Sequence, residues 1–254
     1  MGARRLPAEL IIVLGAALLF IPFLGLVHLF DWDEINFAEA SREMLVTGNY
    51  SIPQINFTPF WEKPPLFFWM QVLSMKLFGV NEFAARFPNA ICGICTLLLL
   101  FRIGSKRVNE KFGWMWVLLY AASLLPHLYF KSGIIDPWFN FFIFLSIYHL
   151  AEYSERHRPI TRHIVLSGLF AGLAVMTKGP VAMLIIGLCY SVFAITHKFK
   201  NFIRVKDMLL FILLVALIGS IWFIALFPER CSILDDDSRC TFGAGNWAVS
   251  PWLT

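Results

Sequence analysis

Long uninterrupted apolar stretches are the feature that most restricts the fold of this chain. The residues from Leu10 to Phe30 and from Met208 to Phe227 approach or exceed the ~20 residues that a helix needs to cross a bilayer. The composition agrees, because 58% of the 254 residues are hydrophobic and the mean hydropathy is +0.68. Lipid offers no hydrogen-bond partners to an open backbone, so such stretches form helices. The sequence therefore predicts an all-α integral membrane protein, a polytopic bundle of transmembrane helices.

The distribution of lysine and arginine predicts the topology, because basic segments remain on the cytoplasmic side. There are four such segments: Arg4 with Arg5, residues 102–111, residues 156–162 and residues 198–206. Only two complete crossings fit between the first two segments, although three apolar stretches are available there. The stretch from Pro65 to Val80 is short, begins with two prolines and contains Gln71 and Lys76, so we interpret it as an interfacial helix. This leaves about seven crossings, at residues 8–30, 84–103, 113–131, 137–151, 162–178, 180–197 and 208–227.

The first extracytoplasmic loop, residues 31–83, is predicted to contain amphipathic juxtamembrane helices. Its first helix has an apolar stripe at helical spacing, opposite a set of charged residues, and Gly48 is a typical helix stop. The stripe consists of Phe37, Ala38, Ser41, Met44 and Leu45, and the charged set consists of Glu39, Arg42 and Glu43. We expect this helix to lie on the bilayer surface.

Charged residues collect at one end of the predicted helices. The topology places Asp33, Glu34, Glu62, Lys63 and Asp136 on the same extracytoplasmic face. A charge costs about 2.5 to 3.5 kcal/mol at the bilayer centre, so a cluster just beyond a spanning helix suggests a site at the interface. The pattern indicates chemistry on a substrate carried by lipid.

Each of these residues also has a purely structural interpretation. Asp33 is a favourable N-cap for the surface helix, and Asp136 followed by proline is typical of an N-cap and a first helical position. Glu62 and Lys63 are able to form a local ion pair, although an exposed pair contributes only ~0 to 1 kcal/mol. Lys178 precedes Gly179 and Pro180, so it also fits a helix end with a side chain that extends toward water.

Neither the cysteines nor the histidines suggest a redox or metal site. Cys92 and Cys95 have the spacing of a redox motif but lie in an apolar helix, where small packing residues are the favoured interpretation. Cys231 and Cys240 remain as possible disulfide partners. The six histidines show no metal-ligand spacing, with His157 and His163 in a basic loop, and His28, His127 and His149 near helix ends. We predict no metal and no cofactor.

An ordered series of motifs resembles a known superfamily. The series is Asp33-Glu34-x-x-x-Ala38-Glu39-x-x-Arg42-Glu43-Met44, then Gly48 and Pro53, then Glu62-Lys63-Pro64-Pro65, then Asp136-Pro137, and finally Met176-Thr177-Lys178-Gly179. Over residues 8–227 it is similar to the membrane glycosyltransferases of the GT-C superfamily. The likeness is strongest to the bacterial branch that contains lipid A aminoarabinose transferase, and the protein O-mannosyltransferases are more distant. In this superfamily too, the first extracytoplasmic loop forms surface helices.

The resemblance implies a glycosyltransferase of the bacterial inner membrane. Its donor would be a sugar on a polyprenyl phosphate, used on the periplasmic side without a nucleotide, and its acceptor a lipid, a glycan or a protein. By position, Asp33 matches the catalytic acidic residue, which activates or orients the acceptor. Lys63 matches the lysine that binds the donor phosphate, and Glu62 and Asp136 match acidic residues of the same cavity. Glu34 and Lys178 are also expected to bind substrate, and transfer is expected to invert the anomeric carbon in one displacement.

The last residues depart from the pattern of the superfamily. We assign residues 1–227 to the glycosyltransferase region and residues 228–254 to an extracytoplasmic tail with Asp235-Asp236-Asp237 and scattered Gly and Ser. Members of the superfamily usually continue with further spanning helices and often a soluble domain. The departure indicates one of three cases: a truncated product, a frame-disrupted product, or one piece of a longer enzyme.

Two other classes of protein fit the composition. A transporter or flippase component would usually bind its solute at mid-membrane between paired broken helices, whereas here the acidic residues lie at helix ends on one side. A catalytically inactive membrane subunit is the third hypothesis, and the short length keeps it open. Nucleic-acid binding is not expected, because the basic residues are divided among short cytoplasmic loops and the topology explains them. The net charge of +4 requires no anionic partner.

Overall fold

A computed structural model describes residues 7–30, 32–155, 161–196 and 203–236. The described chain is mostly helical, as the apolar stretches predict. Its elements, in chain order, are α1 (Ala8–Phe20), α2 (Trp32–Thr47), β1 (Gln54–Ile55), β2 (Thr58–Pro59), α3 (Leu66–Phe78), α4 (Glu82–Arg107), α5 (Glu110–Ala122), α6 (Leu124–Phe130), α7 (Asp136–Ser154), α8 (Thr161–Lys178), α9 (Val181–Thr196) and α10 (Val205–Asp236). For residues 222–236 the structure describes the backbone only.

Several sequence features fall partly or wholly outside these ranges. They are Arg4 and Arg5, residues 156–160 and 198–202 of the basic segments, His157, the side chain of Cys231, Cys240 and most of the tail at 228–254. The predictions that rest on them, including the possible disulfide and the assignment of the tail, stay predictions.

The first apolar stretch forms a shorter helix than predicted. α1 ends at Phe20, so the expectation of one helix over 8–30 is wrong. Pro22 accounts for the end, because proline has no N–H to donate to the next turn of the helix, and Ile21 just before it is the C-cap, with a helical backbone. The chain then turns through Phe23, which has a φ of 68°, and its following carbonyl groups need partners from elsewhere in the protein.

The first predicted loop helix is present as α2. It ends at Thr47, and Gly48, with a φ of 70°, donates its N–H to the carbonyl of Met44, as the predicted stop requires. The expected separation into a packed and an unpacked face is wrong, since Glu39 is 5% exposed and Glu43 is 1% exposed. These acids are buried because each has a partner: Glu39 binds Arg42, and Glu43 accepts the N–H of Phe57 at 2.8 Å.

A small β-hairpin in the same loop was not predicted. β1 and β2 pair antiparallel, with Gln54 opposite Pro59 and Ile55 opposite Thr58. The two tip residues, Asn56 and Phe57, have φ values of 55° and 59°, which is the geometry of a tight two-residue hairpin turn. Asparagine is a favoured residue there, so Asn56 was an available signal. This signal was weak, because the second tip residue is a phenylalanine and each strand has only two residues.

The predicted crossing at 113–131 is divided in the structure. α5 ends at Ala122 and α6 begins at Leu124, and between them Ser123 has an extended backbone with a ψ of 144°. Pro126 lies in the first turn of α6, where its missing N–H is tolerated. Proline would remove a backbone hydrogen bond from a continuous helix, which accounts for the interruption.

The described residues divide into two compact units. Those of 1–42 and 70–137 form the first unit, and those of 43–69 and 138–254 form the second. In the first unit, α4 packs against α1, α5 and α6. Phe20 of α1 and Phe130 of α6 meet there edge to face, with ring centroids 5.1 Å apart. This arrangement buries aromatic surface in the geometry that aromatic pairs prefer.

In the second unit, α8 packs closely against α10 and also contacts α9. Two glycines make the approach to α10 possible. A Cβ on Gly172 would lie 2.7 Å from the Cβ of Ile218, and one on Gly168 would lie 3.0 Å from that of Leu214. Glycines four residues apart occupy one face of a helix and let two helix backbones approach, which is common among membrane helices.

The number of membrane crossings stays a prediction. By length and composition, one helix among the described residues, α4, is long and apolar enough to span a bilayer, and α1, α3 and α9 are shorter apolar helices. All predicted crossings correspond to helices, with α5 and α6 sharing one of them. Exposed apolar side chains, including Leu14, Leu18, Leu118, Leu184 and Leu213, lie along several of these helices.

Candidate active site

Asp33 lies on the surface of the first unit. α2 begins at Trp32, so Asp33 is in its first turn, one residue inside the helix rather than at the predicted N-cap. Its side chain is exposed. A carboxylate in the first turn interacts favourably with the positive end of the helix dipole. The position leaves the carboxylate accessible to a ligand.

Glu34, the next residue, is completely buried in an ion pair. Its Oε1 accepts from Nε of Arg86 at 2.7 Å, and its Oε2 accepts from Nη2 of Arg86 at 2.9 Å. The exposed fractions of the two side chains are 0% and 3%. Phe30 N–H and Gly133 N–H also donate to this carboxylate, at 3.2 and 2.6 Å. Its two oxygens are therefore engaged by protein groups.

Arg86 completes its own hydrogen bonds with the backbone that follows α1. Nη1 donates to the carbonyls of Leu24 and Val27 at 2.8 and 2.7 Å, and Nη2 donates to that of His28 at 3.0 Å. These are carbonyl groups of the segment in which the helix has ended. A guanidinium offers five donors in a fixed plane, so one arginine satisfies both the carboxylate and the irregular backbone.

Asp136 is the first residue of α7 and is half-buried. The backbone N–H of Gly133, three residues earlier, is the group that binds Glu34. Because three residues span at most roughly 11 Å, the backbone of Asp136 lies within that distance of the Gly133 N–H that binds the buried ion pair. The hydrogen bond from Gly133 N–H to the Glu34 side chain connects the start of α2 with the loop before α7. The shared extracytoplasmic face of Asp33, Glu34 and Asp136 stays a prediction.

Glu62 and Lys63 lie in the second unit, between β2 and α3. Glu62 is exposed and Lys63 is half-buried, next to the buried prolines Pro64 and Pro65. In the described part of the chain, no ion pair joins Glu62 to Lys63. The interpretation of these residues as a local ion pair is therefore wrong. The hairpin is closed just before them by Phe60 N–H, which donates to the carbonyl of Pro53 at 2.7 Å.

Lys178 also lies in the second unit, in the last turn of α8. It is half-buried, and its Nζ lies 5.6 Å from the centroid of the Phe139 ring, a cation–π distance. Gly179 follows with a φ of 87°, as expected at a helix end. The structural interpretation, a lysine at a helix end, describes this position well.

The candidate residues are thus divided between the two units. Asp33, Glu34 and Asp136 belong to the first, and Glu62, Lys63 and Lys178 to the second. The functional roles assigned to them stay predictions. Sequence analysis missed Arg86 and Asn89 as members of the polar network. A signal was available, because both are polar residues inside the predicted crossing at 84–103, where such residues are costly and usually have a task.

Cysteines and histidines show one unexpected contact. Cys92 and Cys95 are free thiols in α4 and form no disulfide. His149 and His163, interpreted from sequence as a single residue and a solvated residue, are in contact, with their Nδ1 atoms 3.1 Å apart. Among the residues that the structure describes, no three His, Cys, Asp or Glu side chains form a group that could hold a metal ion.

This arrangement of helices has a counterpart among solved structures. The crystal structure of ArnT from Cupriavidus metallidurans bound to undecaprenyl phosphate superposes with a TM-score of 0.79 at 21% identity. The match covers 87% of this chain and 42% of that one. The chain therefore has the ArnT fold.

The family follows from the sequence. A family model described as dolichyl-phosphate-mannose-protein mannosyltransferase matches residues 62–224, which is more than half of the chain. The chain belongs to this family of membrane proteins.

Curated bacterial relatives agree with this assignment. The undecaprenyl phosphate-alpha-4-amino-4-deoxy-L-arabinose arabinosyl transferase of Shewanella sediminis is 29% identical over 186 residues, which are 72% of this chain and 34% of that protein. The protein of the same name from Pectobacterium atrosepticum is 28% identical over 235 residues, covering 89% of this chain and 41% of that protein. The chain spans less than half the length of these relatives.

Proposed function

We propose that this chain carries the donor site and the catalytic acidic residue of a glycosyltransferase that uses a sugar linked to polyprenyl phosphate. One observation supports this most. In a chain of this family, the exposed Asp33 and the half-buried Asp136 lie in the first turns of two helices, and a single buried network, Arg86–Glu34–Gly133, connects the starts of these helices. Two accessible acidic groups held by a rigid support suit a reaction between two substrates, which depends on orientation.

The proposed reaction is a single displacement at the anomeric carbon. An oxygen of the acceptor forms a bond to that carbon while the bond from the carbon to the phosphate oxygen breaks. Asp33 orients the acceptor oxygen and takes its proton where the acceptor is a hydroxyl. The polyprenyl phosphate leaves with its electron pair, and the Lys63 ammonium stabilises the charge that builds on it. The anomeric configuration inverts, because the acceptor oxygen attacks the anomeric carbon from the side opposite the departing phosphate.

The relatives suggest the identity of the substrates. Their names contain undecaprenyl phosphate and 4-amino-4-deoxy-L-arabinose, so we propose a polyprenyl-phosphate-linked pentose as the donor. We propose a lipid acceptor of the lipid A type. Incubation of the purified protein in liposomes with this donor and lipid A tests the proposal, and the measured product is lipid A that carries the sugar. Donor binding without any transfer would contradict the catalytic part.

Lys63→Ala is expected to weaken donor binding by roughly 10- to 100-fold. A charge-assisted contact to a phosphate contributes about 1.5 to 3 kcal/mol, which corresponds to that range. Lys63→Arg should restore binding only in part, because the guanidinium has a different shape from the ammonium. Titration of the protein in detergent with a polyprenyl phosphate measures the affinity.

The control is Lys76→Ala, which removes the same charge from an exposed side chain in the last turn of α3. It should leave donor affinity unchanged. Equal affinity of the Lys63→Ala variant and the unsubstituted protein would remove Lys63 from the proposed site.

We further propose a multi-pass topology in the bacterial inner membrane, with Asp33 and Lys63 on the periplasmic side. α3 supports an interfacial position, because its end has the exposed apolar side chains Leu73, Leu77 and Phe78 beside the exposed Lys76. If α3 does not cross the membrane, the hairpin before it and the turn after it lie on the same side.

Labelling of single cysteines is expected to show that common side. Thr58→Cys in the hairpin and Val80→Cys after α3 replace exposed residues, and both should react with an impermeant thiol reagent added outside intact spheroplasts. Val108→Cys, exposed between α4 and α5 in a basic segment, is the matched internal control and should react only after lysis. The five natural cysteines are first replaced by alanine. Reaction of Val80→Cys only after lysis would contradict this topology.

A further inference from the structure

The loop between α6 and α7 is held by three buried side chains from three different helices. Glu34 of α2 accepts the N–H of Gly133 at 2.6 Å. Gln71 of α3 donates from Nε2 to the carbonyl of Gly133 at 3.4 Å. Asn89 of α4 donates from Nδ2 to the carbonyls of Ser132 and Ile134, at 2.6 and 2.7 Å. All three side chains are 0% exposed. We call this set of three side chains the loop clamp.

The loop clamp is itself anchored. Arg86 holds Glu34 through two hydrogen bonds. Gln71 accepts from the Ser41 hydroxyl at 2.9 Å and donates to the carbonyl of Ala85 at 2.9 Å. Because every clamp residue lies on a helix and is buried, its position is restricted by packing as well as by hydrogen bonds.

Gly133 is the residue that allows the clamp to close on the loop. A Cβ at this position would lie 3.3 Å from the carbonyl oxygen of Ala85, from Nε2 of Gln71 and from Cγ of Glu34. These contacts are tighter than ordinary van der Waals distances, and the clamp atoms would have to move. The backbone of the loop therefore passes directly against the polar groups that hold it.

The side-chain amide of Asn89 has partners for its donors but not for its acceptor. Both of its amide hydrogens are donated to loop carbonyls, while its Oδ1 is buried with no hydrogen-bond partner among the described residues. An unsatisfied buried acceptor is unfavourable for folding. The placement of an asparagine here is explained by what its two donors do for the loop.

We propose that Glu34, Gln71 and Asn89 are positioning residues for sugar transfer, which act by fixing the start of α7, and with it Asp136, relative to Asp33. The inference rests on the proposed function. It gives Glu34, which sequence analysis expected to bind substrate, a role that does not require contact with substrate. Asp33 is the chain neighbour of one clamp residue, and Asp136 follows the clamped loop by two residues. A displacement of about 1 Å in a reacting group lowers a rate by up to roughly 100-fold.

Asn89→Leu tests the proposal, because leucine has a similar volume and removes both donors. We expect kcat for transfer to fall by roughly 10- to 100-fold while the affinity for polyprenyl phosphate and the KM for the donor stay unchanged. Hydrogen exchange in peptides that cover residues 131–138 should become faster. Gln71→Met removes the longer 3.4 Å contact to the loop, together with the hydrogen bonds to Ser41 and Ala85, and should have a smaller effect on kcat than Asn89→Leu. If the Asn89→Leu protein does not accumulate in cells, Gln71→Met serves as the test variant.

The control is Asn109→Ala, which removes the side-chain N-cap of α5 and has no hydrogen bond to the loop. It lowers stability without any expected effect on kcat per folded molecule. An equal loss of kcat in Asn109→Ala and Asn89→Leu would overturn the positioning role. Wild-type kcat in Asn89→Leu, with faster exchange in the loop, would also overturn it. Failure of the unsubstituted protein to transfer sugar would instead contradict the proposed function, and that measurement precedes the comparison of variants.

Discussion

Asp33→Asn is expected to lower the rate of sugar transfer by roughly 10² to 10⁴, the range that accompanies the loss of a general base. Asparagine has nearly the same shape as aspartate, but it neither accepts a proton nor supplies negative charge to the acceptor. Asp33 is exposed in the first turn of α2, so the substitution should leave the buried contacts of the first unit intact. Donor binding should persist. Transfer from a polyprenyl-phosphate-linked sugar, normalised to folded protein, measures the effect.

The matched control removes an equivalent charge from an equivalent place. Glu110 is exposed in the first turn of α5, so Glu110→Gln loses the same favourable interaction with a helix dipole. It should have almost no effect on transfer. Asp136→Asn should produce a loss smaller than that of Asp33→Asn if Asp136 mainly orients substrate. Turnover near that of the unsubstituted protein in Asp33→Asn would reduce Asp33 to a residue that stabilises its helix.

Arg86→Leu is expected to be the most destabilising of the substitutions considered, by about 3 to 5 kcal/mol. It leaves the Glu34 carboxylate buried without its cation, and it removes the donors for the carbonyls of Leu24, Val27 and His28. Backbone groups that lose their partners are costly wherever water does not reach them. The measurement is the unfolding transition of the protein in detergent, followed by circular dichroism and by loss of folded protein on size exclusion.

Arg102→Leu provides an internal comparison on the same helix. Arg102 also binds one glutamate through two nitrogens, with contacts to Glu9 of 2.9 and 2.7 Å. That pair is exposed, so water replaces the lost contact and the variant should unfold almost like the unsubstituted protein. Glu34→Leu combined with Arg86→Leu should be less destabilised than the sum of the two single variants. Equal stability of the Arg86→Leu and Arg102→Leu variants would contradict the structural role of the buried pair.

The comparison of sequence and structure is clearest at the first apolar stretch. Its composition predicts a helix that starts near residue 8, and α1 starts at Ala8. The helix nevertheless ends ten residues before the apolar stretch does, because Pro22 interrupts it and Arg86 supplies donors to the backbone beyond. A hydropathy profile depends only on the side chains of neighbouring residues. It does not detect that Arg86, about sixty positions away, donates hydrogen bonds to the carbonyls of Leu24 and Val27. Proline at position 22 was the local signal for the end.

The candidate active site shows the same division. The acids at helix starts, the exposed Asp33 and the half-buried Asp136, and the lysine beside two prolines were selected from their local pattern, and their roles stay predictions. The loop clamp was not recognised, because Glu34, Gln71 and Asn89 come from three helices, and no local pattern shows that their side chains meet at one loop. From the sequence alone, Glu34 fits either a substrate-binding residue or one partner of a buried ion pair. The position of Arg86, which only the tertiary structure provides, distinguishes these two roles.

The sequence by itself determined the class of this protein: its apolar stretches require helices in a membrane, and its ordered motifs resemble those of the family to which it belongs. It also determined where most helices begin and end, since capping residues, glycine and proline act over a few neighbouring positions. The tertiary structure decided which polar residues are buried together and which remain open to a ligand. Burial and hydrogen bonding between distant residues depend on how helices pack, and no local pattern encodes that packing. For this reason Glu34 is enclosed by Arg86 and Gly133, whereas the adjacent Asp33 remains exposed.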